Sequence, residues 1–318
     1  MNDSFIATHE IGGTIRVLRV GYGAMQLAGP RVLGLPEDVP HAIAVLRLAA
    51  DLGVRFFDTA NAYGPRTVNQ LIGEALSPYA DDVVIGNKVG AWRSPDGDWT
   101  TDHRPEFLRS QIKDAARDLH ADVSHLTYLR LGGDGQASSA GVLLEEALGT
   151  LIDLRDEGKI TQIGLSGASP EALQKALSMT PIAAVENRYN LVDRSGVEVL
   201  ADCERLSIAF VPFWPLAFGN LGEVPELAAP AQRLGVSTST VALAWLLRRS
   251  SAIIPIPGTK SLGHLRDNVA ALDVAPELTT EEVDHLTGII DEGQATLSRL
   301  PESTLAALQR AGSSGAGS

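Results

Sequence analysis

The stretch Val54–Gly64, VRFFDTANAYG, decides how the rest of the chain is read. Val54, Phe56 and Phe57 are residues that favour a buried strand. The same strand then ends on an acid, Asp58, with Tyr63 five residues on, before a Gly-Pro breaker. A carboxylate closing a buried strand is costly unless something outside that strand needs it. Such a residue belongs at the rim of a site, and the question is what kind of sheet would put it there.

Working outward, the same kind of segment recurs. Strand-like pieces are LRVGYGAM, VRFFDTA, DVVIGNKVG, HLTYLRLGG, KITQIGLSG, IAAVENRYN, IAFVPFWPL and AIIPIPGTK. Between them lie amphipathic stretches such as HAIAVLRLAADLG, PEFLRSQIKDAARDLH, GVLLEEALGTLIDLRDEGK and STVALAWLLRRS. Several of these stop at Gly with a basic residue nearby, the usual helix stop signal. Strands alternating with helices over ~250 residues predict an α/β chain, a closed (β/α)8 TIM barrel. The segment THEIGGTIRVLRV reads as an N-terminal β-hairpin, and extra helices are expected at the C-terminal end. A doubly wound sheet is the rival, but GYGAMQLAG lacks the third glycine of a dinucleotide fingerprint. One barrel over residues 1–311 is expected, with 312–318 (GSSGAGS at its core) as a flexible tail.

Composition narrows the function. Hydrophobic residues make up 44%, enough for a sizeable core. A net charge of −13 disfavours nucleic acid as a partner. The single cysteine, Cys203, rules out an intrachain disulfide and suits a reducing compartment. The N-terminus lacks signal-peptide features, and no apolar run is long enough to span a bilayer, so a cytoplasmic location is expected. The histidines are scattered without metal-ligand spacing, and no metal is expected.

In a barrel of this kind, chemistry sits where the strands end. The residues closing them, in order, are Met25, Asp58, Lys88, Arg130, Ser166, Glu186, Phe213 with Trp214, and Gly258 to Lys260. A phenol is a weak acid, with a pKa near ~10, and a neighbouring ammonium lowers it. A buried ammonium in turn requires a counter-charge. Asp58, Lys88 and Tyr63 thus form a consistent set: Asp58 keeps Lys88 charged, Lys88 tunes Tyr63, and Tyr63 gives a proton to a developing alkoxide. Lys260 precedes a predicted helix N-terminus in PGTKS, a place suited to phosphate. Trp92, just past Lys88, is a candidate substrate wall. His103, in DHRPEFL, reads as part of a helix start.

These motifs, DTANAYG and GNKVG with GLSGAS, VPFWPL and IPIPGTKSLGHLRDNV in the same order, resemble the aldo-keto reductase superfamily over nearly the whole chain. Within it the chain looks most like the bacterial pyridoxal reductases, through GYGAMQLAGP. The resemblance implies an enzyme with bound NADPH that reduces an aldehyde or ketone to an alcohol, with pyridoxal as the preferred substrate. A ketone or keto-sugar reductase and a nicotinamide-binding regulatory subunit are the alternatives. It implies a catalytic role for Asp58, Tyr63 and Lys88, with Arg130 standing where the family usually has histidine. It places cofactor contacts at Gly23, Met25, Ser166, Glu186, Phe213, Leu216, Gly258, Thr259, Lys260, His264 and Asn268. Substrate contacts are expected at Met25, Trp92 and Trp214. Two further departures stand out: the family's Ser-Asn pair is Ser166-Gly167 here, and its glutamine is Glu186.

Overall fold

The computed structural model describes residues 5–94, 96–132, 141–217, 219, 221 and 224–290. The expected domain limit at 311 and the expected tail lie outside these. A hairpin opens the chain, β1 (Thr8–Ile11) against β2 (Ile15–Leu18), turning through Gly12 and Gly13, both at positive φ. Seven parallel strands follow, joined in one sheet. They are β3 (Tyr22–Gly23), β4 (Phe56–Ala60), β5 (Val84–Val89), β8 (Ser124–Arg130), β9 (Ile160–Ser166), β10 (Ala184–Arg188) and β11 (Ala209–Phe213), and they neighbour one another in that order. The short antiparallel pair β6 (Ala91–Arg93) and β7 (Trp99–Thr101) interrupts the alternation after β5.

The eighth piece, AIIPIPGTK, carries no regular strand, for a local reason. Pro255 and Pro257 have no N–H to give to a ladder. The segment still lies in the gap. Ile253 bridges Phe210 in parallel, Ile254 N–H donates to the Phe210 carbonyl at 2.8 Å, and Gly21 N–H donates to the Pro255 carbonyl at 2.9 Å. The sheet therefore meets itself through this segment, as the alternating pattern predicts.

Helices cover the outside: α1 (Val39–Asp51), α2 (Thr67–Leu76), α3 (Pro105–Asp118), α4 (Leu144–Asp156), α5 (Pro170–Leu177), α6 (Val197–Leu206), α7 (Ala228–Leu234), α8 (Thr238–Arg249), α9 (Leu262–Val274) and α10 (Thr280–Thr287). Their starts follow the chemistry of the sequence. Asp38, Ser169, Ser237, Ser261 and Thr279 each accept a backbone N–H at a helix N-terminus, and Pro170 sits in the first turn of α5.

Inside the barrel, Phe56, Val84, Leu126, Tyr128, Ala184, Val211, Ile254 and Ile256 pack together, and Ile11 and Val17 of the hairpin join them from the N-terminal end. The hairpin thus stoppers one mouth, leaving the ends of the strands as the open one. Arg19 anchors that stopper. Its buried guanidinium donates to the carbonyls of Ile6 (2.9 Å), Ile253 (3.1 Å) and Leu247 (2.8 Å), and also to that of Ser250.

Candidate active site

Strand register places the site. Asp58 lies opposite Gly86, Lys88 opposite Ala60, Arg130 opposite Ser166 and Ser166 opposite Glu186, so the side chains nominated from the sequence gather at one mouth. Because side chains alternate along a strand, Asp58 and Lys88 face the barrel axis while their neighbours Thr59 and Asn87 face the helices. Those outward residues hold the strand ends in place. Asn87 Nδ2 donates to Asn61 Oδ1 at 2.8 Å, Thr59 Oγ1 donates to Asn69 Oδ1 at 2.7 Å, and Asn69 Nδ2 donates to both Asn61 and Asn87. Asn61 passes the chain on to the Gln111 carbonyl, 2.8 Å away.

At the centre, Lys88 Nζ lies 2.6 and 2.7 Å from the two carboxylate oxygens of Asp58. A second acid is there too: Glu186 Oε2 stands 3.0 Å from the same Nζ. All three side chains are buried. The Glu186 contact is one of charge, since its Oε2 has no hydrogen-bond partner among the described residues. Burial by itself would depress the Lys88 ammonium, but Asp58 and then Glu186 outweigh it and hold Lys88 above its ordinary value. Burial, followed by the negative charge of Glu186, pushes Asp58 well up, against the pull of Lys88.

Tyr63 sits over this group, its ring centroid 5.3 Å from Lys88 Nζ. Burial outweighs the pull of Lys88 on the phenol, which stands above its ordinary value. Burial pushes Tyr63 up; Lys88 and Arg130 pull it down, but Asp58 and Glu186 add to the upward side. The phenol is a proton-holding acid, which is the state a donor to an alkoxide requires.

Arg130 ends β8 and turns into the mouth. Its Nη1 lies 3.1 Å from Ser166 Oγ, and its guanidinium carbon stands 5.6 Å from the Phe213 ring centre. Asp134, an acid four residues further on that could pair with Arg130, lies outside the described residues. His103 is fully buried, and its Nε2 lies 2.8 Å from the Arg130 carbonyl. A carbonyl can only accept, so Nε2 carries the hydrogen. Burial holds this imidazole below its ordinary value. His103 therefore steadies the backbone that carries Arg130.

Of the residues nominated for substrate, Trp214 is partly buried, edge-on to Phe213, with Arg188 4.7 Å over its ring. Its backbone lies in the left-handed region and is held by a hydrogen bond from Asn190 Nδ2 to its carbonyl. Trp92 is more exposed and pairs with Thr100 across the β6–β7 hairpin. The aromatic side chain that meets Tyr63 is instead Trp99, edge-on with centroids 6.3 Å apart. Arg93 lies over the Trp99 ring, 4.3 Å from its centre, and donates to the Arg31 carbonyl. Sequence reading missed Trp99, because a three-residue strand inside a loop leaves no periodicity to detect.

Part of the set nominated for a dinucleotide lies where β3 meets the closing segment and where α9 begins. Gly23 and Gly258 face each other so closely that a Cβ on Gly258 would stand 2.5 Å from the Gly23 carbonyl oxygen. Thr259 is buried, with its Oγ1 accepting from Ser261 N–H and its carbonyl accepting from the Tyr22 hydroxyl. Lys260 and His264 are exposed at the start of α9, where Ser261 caps the first turn, and Asn268 is buried. An exposed cation at a capped helix N-terminus is chemistry that fits a phosphate group, so the donor set fits a phosphorylated nicotinamide dinucleotide.

A parallel barrel carrying an acid, a lysine and a tyrosine at its open mouth is a carbonyl-handling oxidoreductase in its chemistry. The aldo/keto reductase family model matches residues 19–291, and this chain belongs to that family. It is 41% identical over 281 residues, spanning 88% of this chain and 97% of the other, to pyridoxine 4-dehydrogenase of Escherichia coli strain K12. Among solved structures, a thermostable aldo-keto reductase bound to the inhibitor epalrestat superposes with a TM-score of 0.77 at 25% identity, covering 89% of this chain and 99% of that one. An aldo/keto reductase from Klebsiella pneumoniae in complex with NADP and acetate superposes with a TM-score of 0.74 at 24% identity, covering 88% and 94%. The chain is an oxidoreductase with a barrel of the type read from its sequence.

Proposed function

We propose that this enzyme uses NADPH to reduce an aldehyde, with pyridoxal, giving pyridoxine, as the substrate that fits best. The observation that carries the reading is the buried Lys88–Asp58 pair beneath the Tyr63 ring, with Arg130 beside it. The likeness to the Escherichia coli pyridoxine 4-dehydrogenase supports pyridoxine as the alcohol formed.

NADPH, when bound, supplies the hydride that goes to the carbonyl carbon. Lys260, His264 and Asn268 would hold its adenosine phosphate, Phe213 its nicotinamide ring, Ser166 and Glu186 its carboxamide, and Leu216 its pyrophosphate. Gly23, Met25, Gly258 and Thr259 would line its path. Tyr63 gives its phenolic proton to the carbonyl oxygen as the C–O π electrons move onto that oxygen, so the alcohol leaves neutral and the phenolate takes its next proton from water. Lys88, held charged by Asp58, stabilises the phenolate in the interval. Arg130 offers planar, permanently charged donors to an anionic oxygen beside the aldehyde. Trp99, Trp92, Trp214 and Met25 form the walls against which a flat ring would lie.

The test is to mix the enzyme with NADPH and pyridoxal, follow nicotinamide oxidation, and identify the alcohol formed. Rapid stoichiometric conversion to pyridoxine is expected. Turnover confined to aliphatic ketones or keto-sugars would replace the substrate in this reading. Tight NADPH binding with no turnover on any carbonyl would replace the enzyme with a regulatory nicotinamide-binding protein.

A further inference from the structure

Two buried carboxylates face one ammonium at the heart of this site. Lys88 Nζ is within 2.7 Å of both oxygens of Asp58 and 3.0 Å of Glu186 Oε2. These groups arrive from three strands, β4, β5 and β10, so the arrangement is built by the fold and not by a local turn. One ammonium faces two carboxylates at this depth, and the crowding is felt: the charge of Glu186 is, after burial, the main cause that pushes Asp58 up. An amide at position 186, the residue type that the family resemblance leads one to expect there, would add no charge to this balance. Glu186 does, and the Oε2 it turns toward Lys88 has no hydrogen-bond partner among the described residues.

The surroundings show which group feels the difference. Facing the cluster are Tyr63 from the loop after β4, Tyr128 and Arg130 from β8, and Ser166 from β9. Tyr128 lies with its ring centre 5.9 Å from Lys88 Nζ, in space left by Gly86 and Gly164. Its hydroxyl is buried and has no hydrogen-bond partner among the described residues. It offers no charge to offset a carboxylate. Arg130 does carry charge, but its described hydrogen bond goes to Ser166. That leaves Lys88 divided among Asp58, Glu186 and the phenol above it.

We propose that Glu186 is a positioning residue of the reaction, a second counter-ion that draws on the Lys88 charge otherwise available to Tyr63 and so sets the pH at which the site changes from giving a proton to taking one. This deepens the reductase reading and rests on it. A carboxylate 3.0 Å from Lys88 Nζ leaves less of the ammonium's field to reach the phenol, which favours the acid form of Tyr63. The electrostatics agree: the Asp58 and Glu186 charges both push the Tyr63 phenol up, against Lys88. A protonated Tyr63 serves reduction; its phenolate is the base that alcohol oxidation requires. Glu186 therefore tilts the enzyme toward reducing carbonyls at neutral pH.

The experiment compares wild type with Glu186→Gln and Glu186→Asp. Alcohol oxidation with NADP is measured against pH, and the limb at which activity switches on is read. Removing a charge this close is expected to move that limb toward acid by about one to two pH units. Glu186→Asp keeps the charge and should stay near wild type. Glu186→Ala is the second charge-removing variant if Glu186→Gln fails to fold. An unmoved limb in a folded charge-removing variant overturns the proposal, since a merely structural Glu186 would change stability and leave the limb where it was. A second readout needs no turnover: the ultraviolet tyrosinate band, with Tyr63→Phe as the blank, should appear at lower pH in Glu186→Gln than in wild type. If the enzyme turns over no carbonyl yet this titration shifts, the reductase reading fails while the charge sharing stands. If neither moves, the charge sharing is wrong.

Discussion

A Cβ added to Gly167 would stand 3.2 Å from Nη1 of Arg130. The guanidinium occupies the space that a larger residue at 167 would need, and Gly167 also has a φ of 76°, in the region that favours glycine. The arginine at the end of β8 and the glycine after Ser166, separate departures from the family pattern in the sequence, are one change in space. Arg130 could not reach Ser166 Oγ past an asparagine side chain without moving it.

Arg130 should accordingly select among substrates. Arg130→Met is expected to lower kcat/KM for pyridoxal by ~10- to 10²-fold, the cost of losing a charge-assisted hydrogen bond of roughly 1.5–3 kcal/mol to its anionic ring oxygen. Benzaldehyde, which has no anionic oxygen beside its carbonyl, should lose far less. Equal losses for both would show that Arg130 acts on the reaction in general.

Tyr63→Phe removes the acid and leaves the pocket. Reductase activity is expected to fall by ~10²–10⁴-fold. Cofactor affinity, read from quenching of protein fluorescence by NADPH, should be nearly unchanged. A variant retaining half the wild-type kcat would relieve Tyr63 of its role as proton donor.

Lys260 should read the 2′-phosphate of the cofactor. It is exposed at the start of α9, its Nζ resting 3.4 Å from the Ala28 carbonyl. A charge-assisted hydrogen bond is worth roughly 1.5–3 kcal/mol. Lys260→Glu should weaken NADPH by at least that margin and leave NADH almost untouched. If both cofactors weaken alike, Lys260 serves the helix start and not the phosphate.

Acid should destabilise the fold through its buried histidines. Burial holds His103, His9 and His125 below the ordinary histidine value. The unfolded chain then binds protons that the folded one does not. Stability from these groups is fully present above the unfolded value near ~6.5 and declines as pH falls from there toward the depressed folded values. His103→Gln keeps an N–H for the Arg130 carbonyl but cannot take up a proton. Urea midpoints at about pH 5 and about pH 7.5 should differ less in this variant than in wild type, by up to one proton's share. An unchanged difference would mean that His103 titrates normally.

Much of this was legible before any coordinates. Asp58, Lys88 and Tyr63 could be joined because each answers a need of the next, and strand alternation put them on one mouth. Glu186 was placed at that mouth but not against Lys88, since contact across the barrel between side chains of β5 and β10, which are not neighbours in the sheet, depends on the curvature of a closed sheet and not on either strand's pattern. Asn61, Asn69 and Asn87 gave no signal, because three amides scattered over a strand, a loop and a helix look like ordinary polar residues until the fold assembles them. Trp99 hid in a hairpin too short for periodicity. His103 reads locally as part of a helix start, while its contact with the Arg130 backbone spans 27 residues and is invisible to local pattern.

Pro255 and Pro257 give the barrel one join unlike its other joins. Elsewhere the staves are stitched by repeated amide pairs; between Phe210 and Gly21 the closing segment is stitched sparsely, and at its top Gly23 and Gly258 meet backbone to backbone. The residues nominated for the dinucleotide begin at that same join. Amide protons along it should exchange with solvent sooner than those of β5 or β8, and a dinucleotide lying across Gly23, Gly258 and Thr259 would act as the missing rivet, slowing exchange there more than anywhere else in the ring.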